Sequence, residues 1–469
     1  MPENGSEGCW TVPGATPVRG VSQSEGSPAG GFGVESRPVL SLIRQYRSDL
    51  GRAQPAAKAY LAGSALMGVS MAVTWSLLAR HLEARGFDKV QVGNLLAAES
   101  MGKLLVALPA ALVLARRSAR GLFMGSAFVG GATYLLIPWI EDARLLAATC
   151  MLAGSAVTVH YVAIAPFLLR HTGARERAGI FGLAEALRAG FAMLGGFGGG
   201  RLVQVVQDRL AGAGADQQVC DAAEATATGY AIGAAGLCAW IAILLYARIG
   251  EDKPSLSKRE PILPILRKHR GLFGRFLAPQ LLVAAGSGIC IPFLPLYFKD
   301  RFGLEPGAWG NLFAVGQLGM CFGMLLTPWF LARLGFVRSI VGIELCSIPF
   351  FLMLAFAGSP WLAAGAYLAR GALMNATHPL HKNLMMQVTP PGAREVQTGL
   401  NAALWGLGWV VGPKLGGHVL AATGNRYELL MFATVGLYLA AAVLSLRLLL
   451  PLERRLLNTA DGSGETEHA

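Results

Sequence analysis

The sequence predicts an all-α polytopic membrane protein whose twelve transmembrane helices form two pseudo-symmetric six-helix bundles. Three observations predict it: a composition too apolar for a soluble chain, a ladder of apolar runs of membrane-spanning length, and an internal repeat that cuts the ladder in two. Of 469 residues, 53% are apolar and 14% charged, against roughly 25% charged in soluble domains. Soluble domains of this total length need more charge to cover their surfaces, whereas a chain threaded through lipid needs polar groups only in loops and internal sites.

The net charge of +12 raises nucleic acid as a partner, but most basic residues sit in short loops between apolar runs, the pattern of cytoplasmic loops. The expected partner is therefore the lipid bilayer, with no nucleic acid. Seven cysteines occur without a CxxC pair and mostly inside apolar runs, so neither a disulfide framework nor a metal site is expected. No GxxxxGK[ST] loop or HExxH motif is present, and 'GGFGGG' (195–200) follows no strand. Nucleotide-hydrolysing, dinucleotide-binding and zinc-hydrolase readings lose their support, and no cofactor is expected.

Residues 1–57 are rich in Gly, Ser and Pro and carry no apolar segment suited to a signal peptide, which predicts a disordered cytoplasmic tail. Within it, 'RPVLSLIRQYRSDL' (37–50) suits either a short surface helix or a loose linker. Twelve apolar runs follow, at 59–80, 91–115, 121–140, 145–169, 178–202, 229–247, 276–298, 308–332, 339–357, 361–386, 398–421 and 428–449. Each can cross about 30 Å of hydrocarbon. The basic bias places both termini, 'ARRSAR' (115–120) and the long connection 250–275 inside. The expected organisation is a six-helix bundle over 58–248, a cytoplasmic connection over 249–275, a second bundle over 276–450 and a cytoplasmic tail over 451–469. The composition fits the inner membrane of a bacterium with a GC-rich genome.

A shift of 217 residues superimposes 'GNLLAAESMGKLLVALPAALVLAR' (93–116) on 'GNLFAVGQLGMCFGMLLTPWFLAR' (310–333) with 9 identities in 24 positions. The same shift aligns 'GLAEALRAGFAMLGGFGGG' (182–200) with 'GLNAALWGLGWVVGPKLGG' (399–417) at 7 in 19. Two ungapped windows at one offset point to two halves in the same orientation. Parallel halves are a transporter architecture, with the substrate site near mid-membrane between them.

With these motifs in view, the chain resembles the major facilitator superfamily over everything after the N-terminal tail. 'IPFLPLYFKDRFGLEPGAWGNL' (291–312) looks like the first span of a half running into the second. 'GWVVGPKLGG' (408–417), with Gly412, Pro413, Gly416 and Gly417, is similar to the GxxxGPxxGG signature, and 'LARLGFVRS' (331–339) to the loop signature GxLaDrxGrr. The loop's Asp is replaced by Ala115 and Ala332, while Arg116, Arg333 and Gly335 remain. The resemblance implies weaker latching of the cytoplasmic gate, or latching by other partners. The Pro-containing pattern typifies span five of antiporters but stands here in span eleven, so that subtype does not follow.

Ionisable residues at membrane depth are costly and should face a cavity or a partner. They are Glu99 and Lys103 in span two, His160 in span four, Glu185 and Arg188 in span five, Glu344 in span nine, Arg370 and His378 in span ten and Lys414 in span eleven. Glu99 with Lys103 and Glu185 with Arg188 share helix faces. Each pair suits either a self-neutralised structural role or a protonatable carboxylate tuned by an adjacent cation. His160 and His378 suit either a packed, hydrogen-bonded histidine or a proton relay. Glu344, near a span end, carries little weight. Buried cations exceed Glu99 and Glu185, which favours an anionic or zwitterionic solute, with Arg188, Arg370, His378, Trp405 and Tyr297 as substrate contacts. Glu185, Glu99 and His160 are the proton-coupling candidates. The expectation is a monomeric, non-enzymatic secondary transporter of a small organic solute, coupled to protons. The alternatives are a receptor or assembly factor of the same fold, or an uncoupled facilitator or lipid flippase.

Overall fold

The computed structural model describes residues 47–114, 118–173, 177–212, 216–250, 262–390 and 393–454. Arg116, most of the N-terminal tail, the centre of the long connection and the C-terminal tail beyond 454 lie outside the described residues.

Helices are the dominant element because lipid forces backbone groups to pair within their own segment, and the helices continue through interior prolines at Pro109, Pro166, Pro279, Pro349, Pro379 and Pro413. Twelve long helices cover the twelve expected spans: α1 (Pro55–Ala84), α2 (Lys89–Leu114), α3 (Ala119–Leu136), α4 (Ala143–His171), α5 (Arg177–Ala211), α6 (Gln217–Tyr246), α7 (Ile262–Cys290), α8 (Pro306–Leu325), α9 (Phe336–Phe356), α10 (Pro360–Val388), α11 (Arg394–Thr423) and α12 (Tyr427–Leu448). Among the described residues, 9 helices are long and apolar enough by themselves to cross a membrane. The three that fall short are α2, α10 and α11, which carry Glu99 and Lys103, Arg370, His378 and His381, and Lys414 and His418.

Local chemistry sets the ends. Asp142 and Asp216 accept from the backbone N–H groups of Leu145 and Val219 at 2.7 and 2.9 Å and so cap α4 and α6. Pro306 and Pro360 open α8 and α10, where a missing N–H costs nothing. Pro292 breaks α7 into a 3-10 turn, Ile291–Phe293, before the helix resumes over Leu294–Phe302. The N-terminus of α9 is capped from a distance: Glu453 accepts from the N–H groups of Phe336 and Val337. Gly335, at φ +76°, lies against that carboxylate, and a side chain there would collide with it. Arg333 stacks 4.4 Å above Trp329.

Helix packing repeats at an interval of six. In the first half α1 packs on α5 and α6, α4 on α2 and α3, and α3 on α6. In the second, α7 packs on α11 and α12, α10 on α8 and α9, and α9 on α12. The halves meet through α2 with α11 and α5 with α8. The 217-residue repeat is visible in those seams. Gly93 presses on the Pro413 carbonyl and Gly417, and its counterpart Gly310 presses on the Gly196 carbonyl and Gly200. Side chains at Gly417 or Gly93 would overlap the facing backbone, so small residues there set the approach of the halves. Gly412 and Gly416 face α7, which gives the Gly-rich motif two packed faces.

Candidate substrate cavity and closed gate

Between the halves lies a two-lobed cavity whose lobes share Trp75, Phe313 and Gln317 in their walls. The first lobe, about 240 Å³, is walled by Glu99, Lys103, Tyr134, Tyr161 and Arg188. The second, about 230 Å³, is walled by Gln280, Ser287, Arg370, Asn375, His378, His381, Trp405 and Trp409. Trp75 and Trp409 meet at 5.3 Å between ring centres, and Trp405 lies 5.3 Å from His378 while donating to Gln280 Oε1 at 3.0 Å.

The first lobe is internally neutralised. Lys103 Nζ is 2.7 Å from Glu99 and also 5.6 Å from the Trp75 ring. Arg188 is 2.8 Å from Glu185, whose side chain is 65% exposed at the lobe's rim. His160 is buried among Tyr60, Phe123, Tyr161 and Tyr246, a packed position beside the rim.

The second lobe is different. Arg370 is 6% exposed. Its Nη2 donates to the Tyr438 hydroxyl at 2.9 Å, and its plane stacks 4.8 Å from Phe351. Tyr438 in turn shares a 2.7 Å hydrogen bond with Ser287. Nε has no partner, and among the described residues no carboxylate is within ion-pair distance of this guanidinium. Lys414 lies away from the cavity wall, exposed on α11. Tyr297, expected here from sequence, is instead fully buried with its hydroxyl donating to the Leu354 carbonyl at 2.6 Å. The break at Pro292 turns that stretch of α7 away from the cavity and into the core.

One end of the cavity is sealed by a network that the sequence reading missed. Lys89 bonds to Glu83, to Asp300 at 2.7 Å and to the Tyr427 hydroxyl at 2.9 Å. Arg80 donates to Glu224 at 2.8 Å and to the Leu304 carbonyl at 2.7 Å. Lys299 reaches Glu224 at 3.2 Å and Glu83 at 3.4 Å, and Trp309 donates to the Ser76 carbonyl at 2.9 Å. Every one of these clusters joins a residue before 230 to one after 295, so the network ties half to half. Outside it lies a vestibule of about 710 Å³ lined by Arg80, Gln204, Cys220, Glu224, Lys299 and Asp300. The charges sit at helix ends, where solvation is the ordinary expectation. Their one sequence signal is that Arg80 and Glu224 continue apolar helices on the same membrane side.

A helical bundle with pseudo-repeated halves, a central cavity and a seal at one end has the architecture of a membrane transporter. The sequence profile of the Major Facilitator Superfamily matches residues 60–413; the chain belongs to that family, and it is a transporter rather than an enzyme. Among curated proteins, none matches the sequence. Among solved structures, the fold is similar to the nucleoside transporter NupG (TM-score 0.68, 12% identity, 84% of this chain and 99% of that one). It is also similar to a bacterial homologue of the human lysosomal transporter Spinster in an inward-facing, occupied conformation (0.67, 14%, 87% and 98%). The outward conformation of FucP, the E. coli fucose:proton symporter, is a third (0.57, 16%, 84% and 99%).

Proposed function

We propose that the protein is a secondary active transporter of a small anionic or zwitterionic organic solute, working by alternating access and coupled to protons. The observation that carries this reading is Arg370. A cation at membrane depth costs about 2.5–3.5 kcal/mol by insertion measurements, and this one has polar and aromatic contacts but, among the described residues, no counter-ion. A carboxylate or phosphate bound in the second lobe supplies it, and a guanidinium offers the planar two-point contact such groups need. Trp405, Trp409 and His378 give that lobe flat faces for an organic body, and Arg188 faces the solute from the first lobe. The bundles at 58–248 and 276–450 are the two bodies that rock about the site, and the protein works as a monomer.

The positive-inside bias puts the sealed end outside, in the cytoplasmic membrane of a bacterium with both termini inside, so this conformation is inward-facing. An impermeant maleimide added to intact cells is then expected to modify Cys220, in the outer vestibule, and not a cysteine introduced at Ser257. Protection of Cys220 or external labelling at 257 contradicts the orientation.

Proton coupling is supported by the titratable groups at the cavity. Glu99 and Glu185 each have a cationic neighbour, Lys103 and Arg188, and His378 and His381 line the second lobe. The experiment is an uptake and efflux screen of carboxylates, amino acids, organophosphates and organic cations in proteoliposomes under an imposed pH gradient. An anionic or zwitterionic solute is expected to accumulate only when the gradient is present. A cationic solute as best substrate, or no solute moved, contradicts the reading.

A further inference from the structure

A second buried carboxylate stands behind the wall of the Arg370 lobe. Glu344, on α9, is 1% exposed. Oε1 is 3.6 Å from His381 Nε2 on α10, and Oε2 has no hydrogen-bond partner. The His381 side chain is 12% exposed, it lines the Arg370 lobe, and its Nδ1 is also without a partner. We propose that the Glu344–His381 pair is the proton-binding site that couples transport, with His381 passing the proton between the cavity and Glu344. This rests on the proton-coupled reading above and places the proton in the second half rather than on Glu99 or Glu185.

Comparison with the other acidic groups favours it. Glu224 is also buried, but Arg80 is hydrogen-bonded to it at 2.8 Å and Lys299 lies at 3.2 Å, so its charge is matched. Glu99 is paired with Lys103 at 2.7 Å and Glu185 with Arg188 at 2.8 Å. Among the described residues, the one ion-pair partner of Glu344 is a histidine, whose charge is itself a bound proton. The remaining charged groups on the packed elements lie elsewhere. On α10, His378 faces the cavity beside Trp405, Arg370 is held by Tyr438, and Lys382 is exposed. On α12, Tyr438 is bonded to Ser287 and Arg370, and Arg447 is exposed. On α9 itself Arg338 is exposed, and past α8 Arg333 is stacked on Trp329.

The charge balance follows. When an anion enters the lobe, its negative charge favours the binding of one proton. It enters through His381 and ends on Glu344, so the loaded pair holds one proton more than the empty pair. Reorientation carries one anion and one added proton, and release of the anion on the far side expels that proton. For a monoanion, the binding pair returns to its starting charge with no net charge moved by substrate and proton together.

The test has two arms. The first uses protons alone: infrared difference spectra of the reconstituted protein on acidification, in wild type, Glu344→Gln, His381→Gln, Glu99→Gln and Glu185→Gln. A protonated-carboxyl band is expected in wild type and in the Glu99 and Glu185 variants, lost in Glu344→Gln and shifted in its midpoint in His381→Gln. A band that survives Glu344→Gln and disappears in Glu185→Gln or Glu99→Gln overturns the assignment, as does a wild type without any band. The second arm measures the solute found in the gradient screen. Glu344→Gln is expected to retain exchange of that solute and to lose its accumulation driven by a pH gradient, with retained exchange showing that the variant is folded. If wild type ignores the gradient, proton coupling itself fails. If wild type responds and Glu344→Gln accumulates equally well, the coupling site is elsewhere.

Discussion

Arg370→Lys is expected to raise the dissociation constant of the anionic solute about tenfold or more, which corresponds to one charge-assisted contact of roughly 1.5–3 kcal/mol. The substitution keeps the positive charge, so the loss isolates geometry. Lysine can neither stack a plane on Phe351 nor present two parallel N–H groups to a carboxylate. It also cannot reproduce the guanidinium arrangement in which Nη2 is anchored by Tyr438 while Nε remains available. Tyr438→Phe is a milder version of the same test, because it removes the anchor and leaves the cation. Arg188→Lys is expected to weaken binding too. Glu185 already occupies that guanidinium at 2.8 Å, so its effect should be the smaller of the two. Equilibrium binding of the solute to detergent-purified protein checks the order. Unaltered binding in both Lys variants contradicts the anion-site reading.

Lys89→Ala is expected to have the largest effect on conformation. Lys89 is 8% exposed and touches Glu83, Asp300 and Tyr427 together. Removing one partner of a buried charge cluster costs about 3–5 kcal/mol, because the other charges are left uncompensated. Moving a two-state equilibrium from 99:1 to 1:99 takes about 5.5 kcal/mol, so this one substitution should carry the protein most of the way out of its outward-closed state. Cys321 stands one helical turn beyond the cavity-lining Gln317 and is half-buried. It is expected to resist an external maleimide in wild type and to react with it in Lys89→Ala. Double truncation, Lys89→Ala with Asp300→Ala, should recover part of the closed population, since the orphaned acid is removed. Unchanged external protection in the single variant contradicts the gate.

Much of the fold was legible because lipid imposes one rule on every span: a long apolar run must satisfy its own backbone. The twelve runs and the 217-residue repeat carried that information directly, and Gly93 with Gly310 shows why the repeat survives. Both are places where the halves touch backbone to backbone. The Glu99–Lys103 and Glu185–Arg188 pairs were legible from helical spacing. Tyr297 was misplaced because the Pro292 break, which redirects its side chain into the core, changes direction without changing composition. The gate escaped because charges at helix ends look solvated until the opposite half is known to cover them. Glu344 was discounted for the same reason: its position along α9 suggested snorkelling, and only the packing of α10 shows it 1% exposed beside His381.

The central claim is that one anionic solute binds at Arg370 and is carried by alternation of the two halves. Counterflow tests it most directly: proteoliposomes loaded with unlabelled solute are diluted into a trace of labelled solute. Wild type should show a transient internal overshoot of label, Arg370→Lys should need about tenfold more solute to produce it, and Glu344→Gln should keep it. A solute that binds at Arg370 and yet gives no overshoot in wild type would mean that the halves do not exchange access to the site.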